Sequence, residues 1–322
     1  MSRMLKHHRR EVSVALAIGA LALVLAAVAP GYFSAENLSD LFLANMPVLV
    51  VALGATMVML AGEIDISVGS VFAICGVAAG VTSKFGMPVV AAALAACAAG
   101  GLLGALNGVL VAYVRIPSIV VTLATMVALR DALRWSTEGA WIENLPRSFQ
   151  WLGLTQALYP AVTFGGVACL TALLAWTLRH LAAGRAIYAT GSNADAARLA
   201  GLDVALVKWS VFAAAGTLTG LAALLNSVRF NQIPSNAGLG LEMKVIAAVV
   251  VGGTSITGGR GTLLGTVLGV VLLGAIGPAL TFLGVSAYWE RAIQGAIILT
   301  GVAADAIRAR AKKDVPQLAA SA

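Results

Sequence analysis

Charge is scarce in this sequence. Among 322 residues, Asp, Glu, Lys and Arg together make up 11%, against about 25% in an ordinary soluble domain. So few charges cannot cover a water-facing surface of this size, which excludes a soluble globular enzyme, and 60% hydrophobic residues exclude a disordered chain. Cysteine is scarce as well. Cys75, Cys97 and Cys169 stand in apolar runs without CxxC spacing, so neither a disulfide scaffold nor a thiolate metal site nor a redox pair is indicated, and buried free thiols are expected. The three histidines, His7, His8 and His180, lie at the edges of apolar runs, which leaves an intramembrane Ser–His hydrolase without its base. No GxxxxGKS/T, HExxH or GxSxG string occurs. No catalytic residue, metal ligand or cofactor of its own is therefore assigned to the chain.

Long apolar runs are what the sequence does contain, and its mean hydropathy is +0.92. A helix needs about 20 predominantly apolar residues to cross the hydrocarbon core. Windows of that kind fall at 12–30, 41–61, 67–83, 88–113, 116–135, 159–180, 207–227, 243–258, 261–284 and 287–306. The expected fold is all-α: a polytopic membrane bundle of about ten transmembrane helices, forming a single transmembrane domain over 1–322. The first run follows a basic start and ends at Ala27-Val28-Ala29, as a signal peptide would, but it exceeds the usual 7 to 15 residues of a signal core. It is read as an uncleaved first helix.

The net charge of +7 invites a nucleic-acid reading, and the placement of the charges argues against it. Arg3, Lys6, Arg9 and Arg10 precede the first apolar run, Arg308, Arg310, Lys312 and Lys313 follow the last, and Arg179, Arg185, Arg198 and Lys208 share one polar loop. Basic groups beside hydrophobic segments are the positive-inside bias. With an even number of crossings, the tails 1–11 and 308–322 and the loop 180–207 fall in the cytoplasm, and the loop 136–158 falls outside, in the periplasm. Trp135, Trp176, Trp209 and Trp289 all sit near span ends, where indole rings favour the interface.

Small residues recur at helical spacing. Gly100, Gly104 and Gly108, the pair Gly216 and Gly220, and Gly261, Gly265 and Gly269 each place glycines on one helical face, a pattern that serves close helix packing in lipid. Ionisable groups near the membrane are few. Glu63 and Asp65 lie in the turn after the second span, Asp131 lies between Arg130 and Arg134, and Glu290 adjoins Arg291. Such placement fits interfacial anchoring or local pairing. No Asp/Glu/His relay crosses the membrane, which weighs against proton-coupled transport.

The polar loop GRAIYATGSNADAARLAGLDV at 184–204 carries helix punctuation: Asn193 as N-cap, Asp195 in the first turn, Arg198 in the last and Gly201 as the stop. About seven residues of helix, near 10 Å long, are expected. Two readings stand level: a helix that docks on a partner, and a helix that lies on the lipid headgroups.

That loop resembles the cytoplasmic coupling loop of the ribose-type sugar permease family of bacterial ABC importers. Four more segments match that family in order: GEIDISVGS at 62–70, NGVLVAYVRIPSIVVTLATM at 107–126, LPRSFQWLG at 145–153 and IAAVVVGGTSITGGRGTLLGTVLG at 246–269. Glu63 is a departure, since the family often has Gly there. The resemblance implies a permease subunit in the inner membrane and three partners: a cytoplasmic ABC ATPase that holds the ATP and magnesium, a second permease, identical or homologous, and a periplasmic sugar-binding protein. It also implies ATPase coupling through Gly191, Ser192, Asn193, Asp195, Ala196, Ala197, Arg198 and Gly201, with turn motifs at Glu63, Asp65, Ser67 and Gly69 and at Gly258, Gly259 and Gly261. The expected cargo is a rhamnose-like deoxyhexose, a pentose or the furanosyl signal autoinducer-2. Asn45, Asn107 and Asn226 could line the path or bond between helices. The alternatives from other classes are an ion-coupled secondary transporter of a small polar solute and an intramembrane enzyme.

Overall fold

The computed structural model describes residues 9–286 and 288–300. The basic tails with Arg3, Lys6 and 308–322, and the end of the last apolar window, lie outside the described residues. In chain order the helices are α1 (Arg9–Val28), α2 (Ala35–Leu60), α3 (Val68–Lys84), α4 (Val89–Ala112), α5 (Ser118–Thr137), α6 (Tyr159–His180), α7 (Ala182–Ser192), α8 (Ala194–Leu199), α9 (Val204–Ser227), α10 (Leu241–Val251) and α11 (Leu263–Phe282). A further helix, α12, runs over 289–300.

α2 is the axis of the bundle. It is apolar around its whole circumference, and 83% of its most apolar window is buried, against 11% for α1. A helix without a polar stripe belongs in a core. α9, α11, α10 and one side of α6 pack around it, while α1, α4 and the other side of α6 keep apolar faces outward, with Leu23, Leu102 and Leu173 exposed. Such faces are stable only against lipid.

Among the described residues, six helices, α1, α2, α4, α6, α9 and α11, are long and apolar enough to cross a membrane. The other expected crossings differ in kind. α5 has the length but carries Arg130, Asp131 and Arg134. α10 corrects the expected span at 243–258: its 11 residues rise about 16 Å, half the hydrocarbon core. α3, with 17 residues, rises about 26 Å, most of that core. Both helices are preceded by non-helical chain, 62–67 before α3 and 228–240 before α10, and the two helix starts meet where Gly69 packs against Gly238 and Glu242.

Backbone at membrane depth must find partners within the protein. The 62–67 segment does so: Glu63 N–H donates to Val58 O at 3.1 Å, Ile64 N–H to Ser118 Oγ at 3.2 Å and Ser67 N–H to Asp65 Oδ1 at 2.8 Å. The 228–240 segment pairs with the 138–158 loop, since Ile142 and Ile233 exchange hydrogen bonds of 3.0 and 2.9 Å and Trp151 N–H donates to Val228 O at 2.7 Å.

The glycine faces are used as expected on α4 and α9. A Cβ added at Gly100 would lie 2.1 Å from Gly216 O, and one at Gly104 would lie 2.3 Å from Phe212 O. The third ladder is shorter than expected, because α11 begins at Leu263: Gly265 and Gly269 face Gly252 and Ala248, while Gly261 lies in the preceding turn against Thr254.

Gly104→Ala forces the α4 and α9 backbones apart and is expected to destabilise the bundle by about 1–3 kcal/mol. Gly165→Ala on α6, where a Cβ meets nothing within 4 Å, is expected to be neutral or stabilising by up to about 1 kcal/mol. Thermal unfolding of the two variants in detergent checks the contrast.

Candidate functional site

The sequence-derived candidates gather at one end of the bundle, where α2, α4, α6 and α10 finish and α5, α9 and α11 begin. Arg115, Arg179, Arg185, Arg198, Lys208 and Arg260 belong to this end, here termed the basic end. α1 starts at the same end, since Thr262 Oγ1 donates to Glu11 Oε1 at 2.5 Å.

The expected loop 180–207 proves to be two helices and short links. α7 is the part that capping signals alone do not reveal; its inward side buries Gly184, Ile187 and Thr190. α8 starts at the anticipated cap, with Asn193 Oδ1 accepting from the N–H groups of Asp195 and Ala196 at 3.0 Å each. It ends before Gly201, whose φ of +84° suits glycine. Asp195 and Arg198 pair at 3.0 Å on its outer side, their side chains 88% and 59% exposed. Ala197 is the one buried residue of α8, and Leu199 is 91% exposed. The Leu199 side chain thus packs on little among the described residues.

Four glycines tie this element to the core. Gly259 N–H donates to Leu60 O, the last carbonyl of α2, at 2.9 Å. Gly191, at the end of α7, packs so closely that a Cβ there would lie 1.8 Å from the same carbonyl oxygen, and one at Gly258 would lie 2.7 Å from Gly62 Cα. Gly62, Gly258 and Gly259 have φ of +84°, +85° and +69°, in the region that side chains disfavour. Beside Gly259, Ser192 makes the next contact, and Tyr188 Oη donates to Gly261 O at 2.9 Å. Burial pushes the Tyr188 hydroxyl above its ordinary pKa, so it keeps the proton it donates.

The GEIDISVGS segment surrounds this node. Asp65 Oδ1 accepts from Ser67 N–H and Ser67 Oγ, at 2.8 and 2.6 Å, and Asn107 Nδ2 donates to Ser67 Oγ at 2.9 Å. Glu63 forms an ion pair with Lys208 of α9, the two side chains 12% and 22% exposed. The pair borders a cavity of about 500 Å³ that Arg115, Arg198 and Asp203 also line.

The three asparagines serve different neighbours. Asn45 donates to Leu41 O at 2.8 Å and lies over Gly274 of α11, Asn107 holds Ser67, and Asn226 is half-buried on α9. Sequence reasoning missed a polar group at the start of α10. Glu242 faces Arg130 at 3.5 Å and Lys244 faces Glu290 at 3.6 Å, so the partner of Glu290 is Lys244 rather than the adjoining Arg291. The signal was present as two charges inside an apolar window, LEMKVIAAVVV.

A helical bundle with apolar faces turned outward and a capped helix displayed at one end is that of a multi-pass membrane protein. The chain belongs to the family described as branched-chain amino acid transport system / permease component, which matches residues 37–302, and its ordered motifs place it with the sugar-type permeases of ABC importers in the inner membrane. The chain is 40% identical to the autoinducer 2 import system permease protein LsrC of Enterobacter sp. (strain 638), over 93% of this chain and 87% of that protein. The protein of that name in Klebsiella pneumoniae is 40% identical, over 93% and 86%, and that of Yersinia pseudotuberculosis 38%, over 91% and 83%. No solved structure matches the chain.

Glu63→Gln leaves the Lys208 ammonium without a counter-charge and is expected to cost about 1–3 kcal/mol. Glu63→Gln combined with Lys208→Gln is expected to recover most of that loss, read as a double-mutant cycle of melting temperatures in detergent.

Proposed function

We propose that the chain is the membrane-spanning subunit of a binding-protein-dependent ABC importer for a small sugar-like solute. In this reading the basic end faces the cytoplasm, in line with the positive-inside bias. α8 seats in a cytoplasmic ATPase, which hydrolyses ATP on its own chain. A second permease completes the path, and a periplasmic binding protein delivers the solute. The names of the relatives, all autoinducer 2 import permeases, favour autoinducer-2 over rhamnose or a pentose as cargo.

One observation carries the proposal: α8 offers an exposed Leu199 and an exposed charge pair to a partner, and Gly191 at its root presses on the last carbonyl of the buried α2. A push on α8 therefore reaches the centre of the bundle through backbone contacts, without a flexible side chain in between. Closed ATPases would move α8, and the node would carry that movement into α2 and the α10–α11 hairpin, switching access from one side to the other.

An exposed i,i+3 pair contributes about 0.3–0.5 kcal/mol to folding. Reversing both charges, Asp195→Arg with Arg198→Asp, is thus expected to leave insertion and melting unchanged while ATP-driven uptake falls. Leu199→Asp removes an apolar anchor whose burial stabilises docking by about 1.5–3 kcal/mol, or roughly 10- to 100-fold in affinity for the ATPase. Uptake into proteoliposomes and co-purification with the ATPase measure both effects; variants that transport like the wild type would refute the coupling role.

A further inference from the structure

We infer that the start of α10 and the facing α12 form a binding site for a neutral, polyhydroxylated solute, with Glu242, Lys244, Glu290 and Gln294 as its hydrogen-bonding groups. The inference rests on the importer reading above and gives the path a specific recognition point. A cavity of about 810 Å³ lies between the two helices, within the 300–1,000 Å³ usual for small-molecule sites.

The charge arrangement indicates the class of ligand. The lining contains Glu242, Lys244, Glu290 and Arg291, two groups of each sign, so the cavity has no net charge with which to favour an ion. Its pairs are loosely closed: 3.5 Å for Arg130–Glu242 and 3.6 Å for Lys244–Glu290, longer than charge-assisted hydrogen bonds of about 2.7–2.9 Å. Glu242 is 6% exposed, and its Oε2, which lies against Gly69, has no hydrogen-bond partner. Gln294, also 6% exposed, donates to Glu290 Oε1 at 3.0 Å. Hydroxyl groups, which donate and accept at once, complement such a set: they donate to the carboxylates where these line the cavity and accept from the ammonium. Leu239, Met243, Tyr288 and Ile298 supply apolar and aromatic surface in the same cavity, suited to the C–H faces of a sugar-like ring.

The location fits a transport site. α10 is a half-height helix that begins inside the bundle, an arrangement that in membrane transporters brings polar groups to mid-membrane. Glycines with positive φ flank it, Gly238 and Gly240 before and Gly253 after, and the chain beyond its C-terminus leads directly to the Gly258–Gly259 node. A site at one end of α10 is thus within about 16 Å of the coupling contacts at the other.

The test uses full-length protein carrying Met243→Cys in a Cys169→Ser background, because Cys169 is exposed, assembled with its ATPase and binding protein in proteoliposomes. The rate of labelling of the new thiol by a polar methanethiosulfonate is measured with ribose, rhamnose, autoinducer-2 or gluconate, beside ATP-driven uptake in the same vesicles. The expected result is slower labelling with at least one neutral compound, by about tenfold at saturation, and no protection by gluconate. Glu290→Gln should raise the protecting concentration about tenfold, the effect of one hydrogen bond to a charged group. Protection without ATP-driven uptake would support the site and refute the importer reading. Labelling that no neutral compound slows, with uptake intact, would overturn the site alone, as would equal protection by gluconate. Absence of both protection and uptake would overturn both.

Discussion

The hydrogen bond from Gly259 N–H to Leu60 O, 2.9 Å long, governs much of the architecture because of where it lies. It joins the end of the most buried helix to the turn between α10 and α11, and Gly191 closes over the same oxygen. A helix leaves its last carbonyls unsatisfied, and inside a membrane protein those groups need partners from the chain. The partner chosen here brings three segments, distant in sequence, into backbone contact. No side chain fits between them, so glycine is required at each approach. The result is stiff, since backbone packed on backbone has no rotamers through which to absorb a displacement.

The charges follow a related economy. In a permease with 11% charged residues, three settings of charge stand out among the described residues. At the basic end Asp195 and Arg198 are exposed and contribute little to folding. Glu63 and Lys208 are half-submerged and brace the 62–67 segment against α9. Around the start of α10, Arg130 faces Glu242 and Lys244 faces Glu290, with all four side chains largely buried. Desolvation cost is small in the first setting and larger in the other two, and in the proposed site the binding of a solute would offset it in the third.

Much of this was legible in the sequence, for identifiable reasons. Apolar runs located the long helices because a membrane demands continuous hydrophobicity. Asn193 and Gly201 bounded α8 because capping is local chemistry. Hydrophobicity alone does not distinguish helix from extended chain, so 243–258 read as a crossing, whereas Gly252 and Gly253 end α10 after 11 residues. α7 went unread because its buried side is made of Gly184, Ile187 and Thr190, too mixed to form an apolar stripe. The glycine node was half visible: Gly258-Gly259 announced a turn, but the partners of that turn, Leu60 and Gly191, are fixed only by tertiary packing. Lys244 was overlooked because the average over 243–258 hides one charge among apolar residues, and Glu242 because it stands just before that window.

α10 connects these features. It is short, flanked by glycines, and packed through Ala248 and Gly252 on Gly269 and Gly265 of α11, a small-residue contact of the kind along which helices slide without unpacking large side chains. One end is tied to the node that α7 and α8 reach; the other bears the charged groups of the cavity. A long rigid span would have to tilt as a whole to alter that cavity. A half-height helix needs only to shift at its glycine hinges, and its displacement changes the spacing of Glu242 and Lys244 from Arg130 and Glu290, which belong to other helices. In the proposed mechanism, transmission and recognition would therefore share one element of 11 residues. The weak closure of its ion pairs, 3.5 and 3.6 Å, is the property that lets their geometry respond to such a shift.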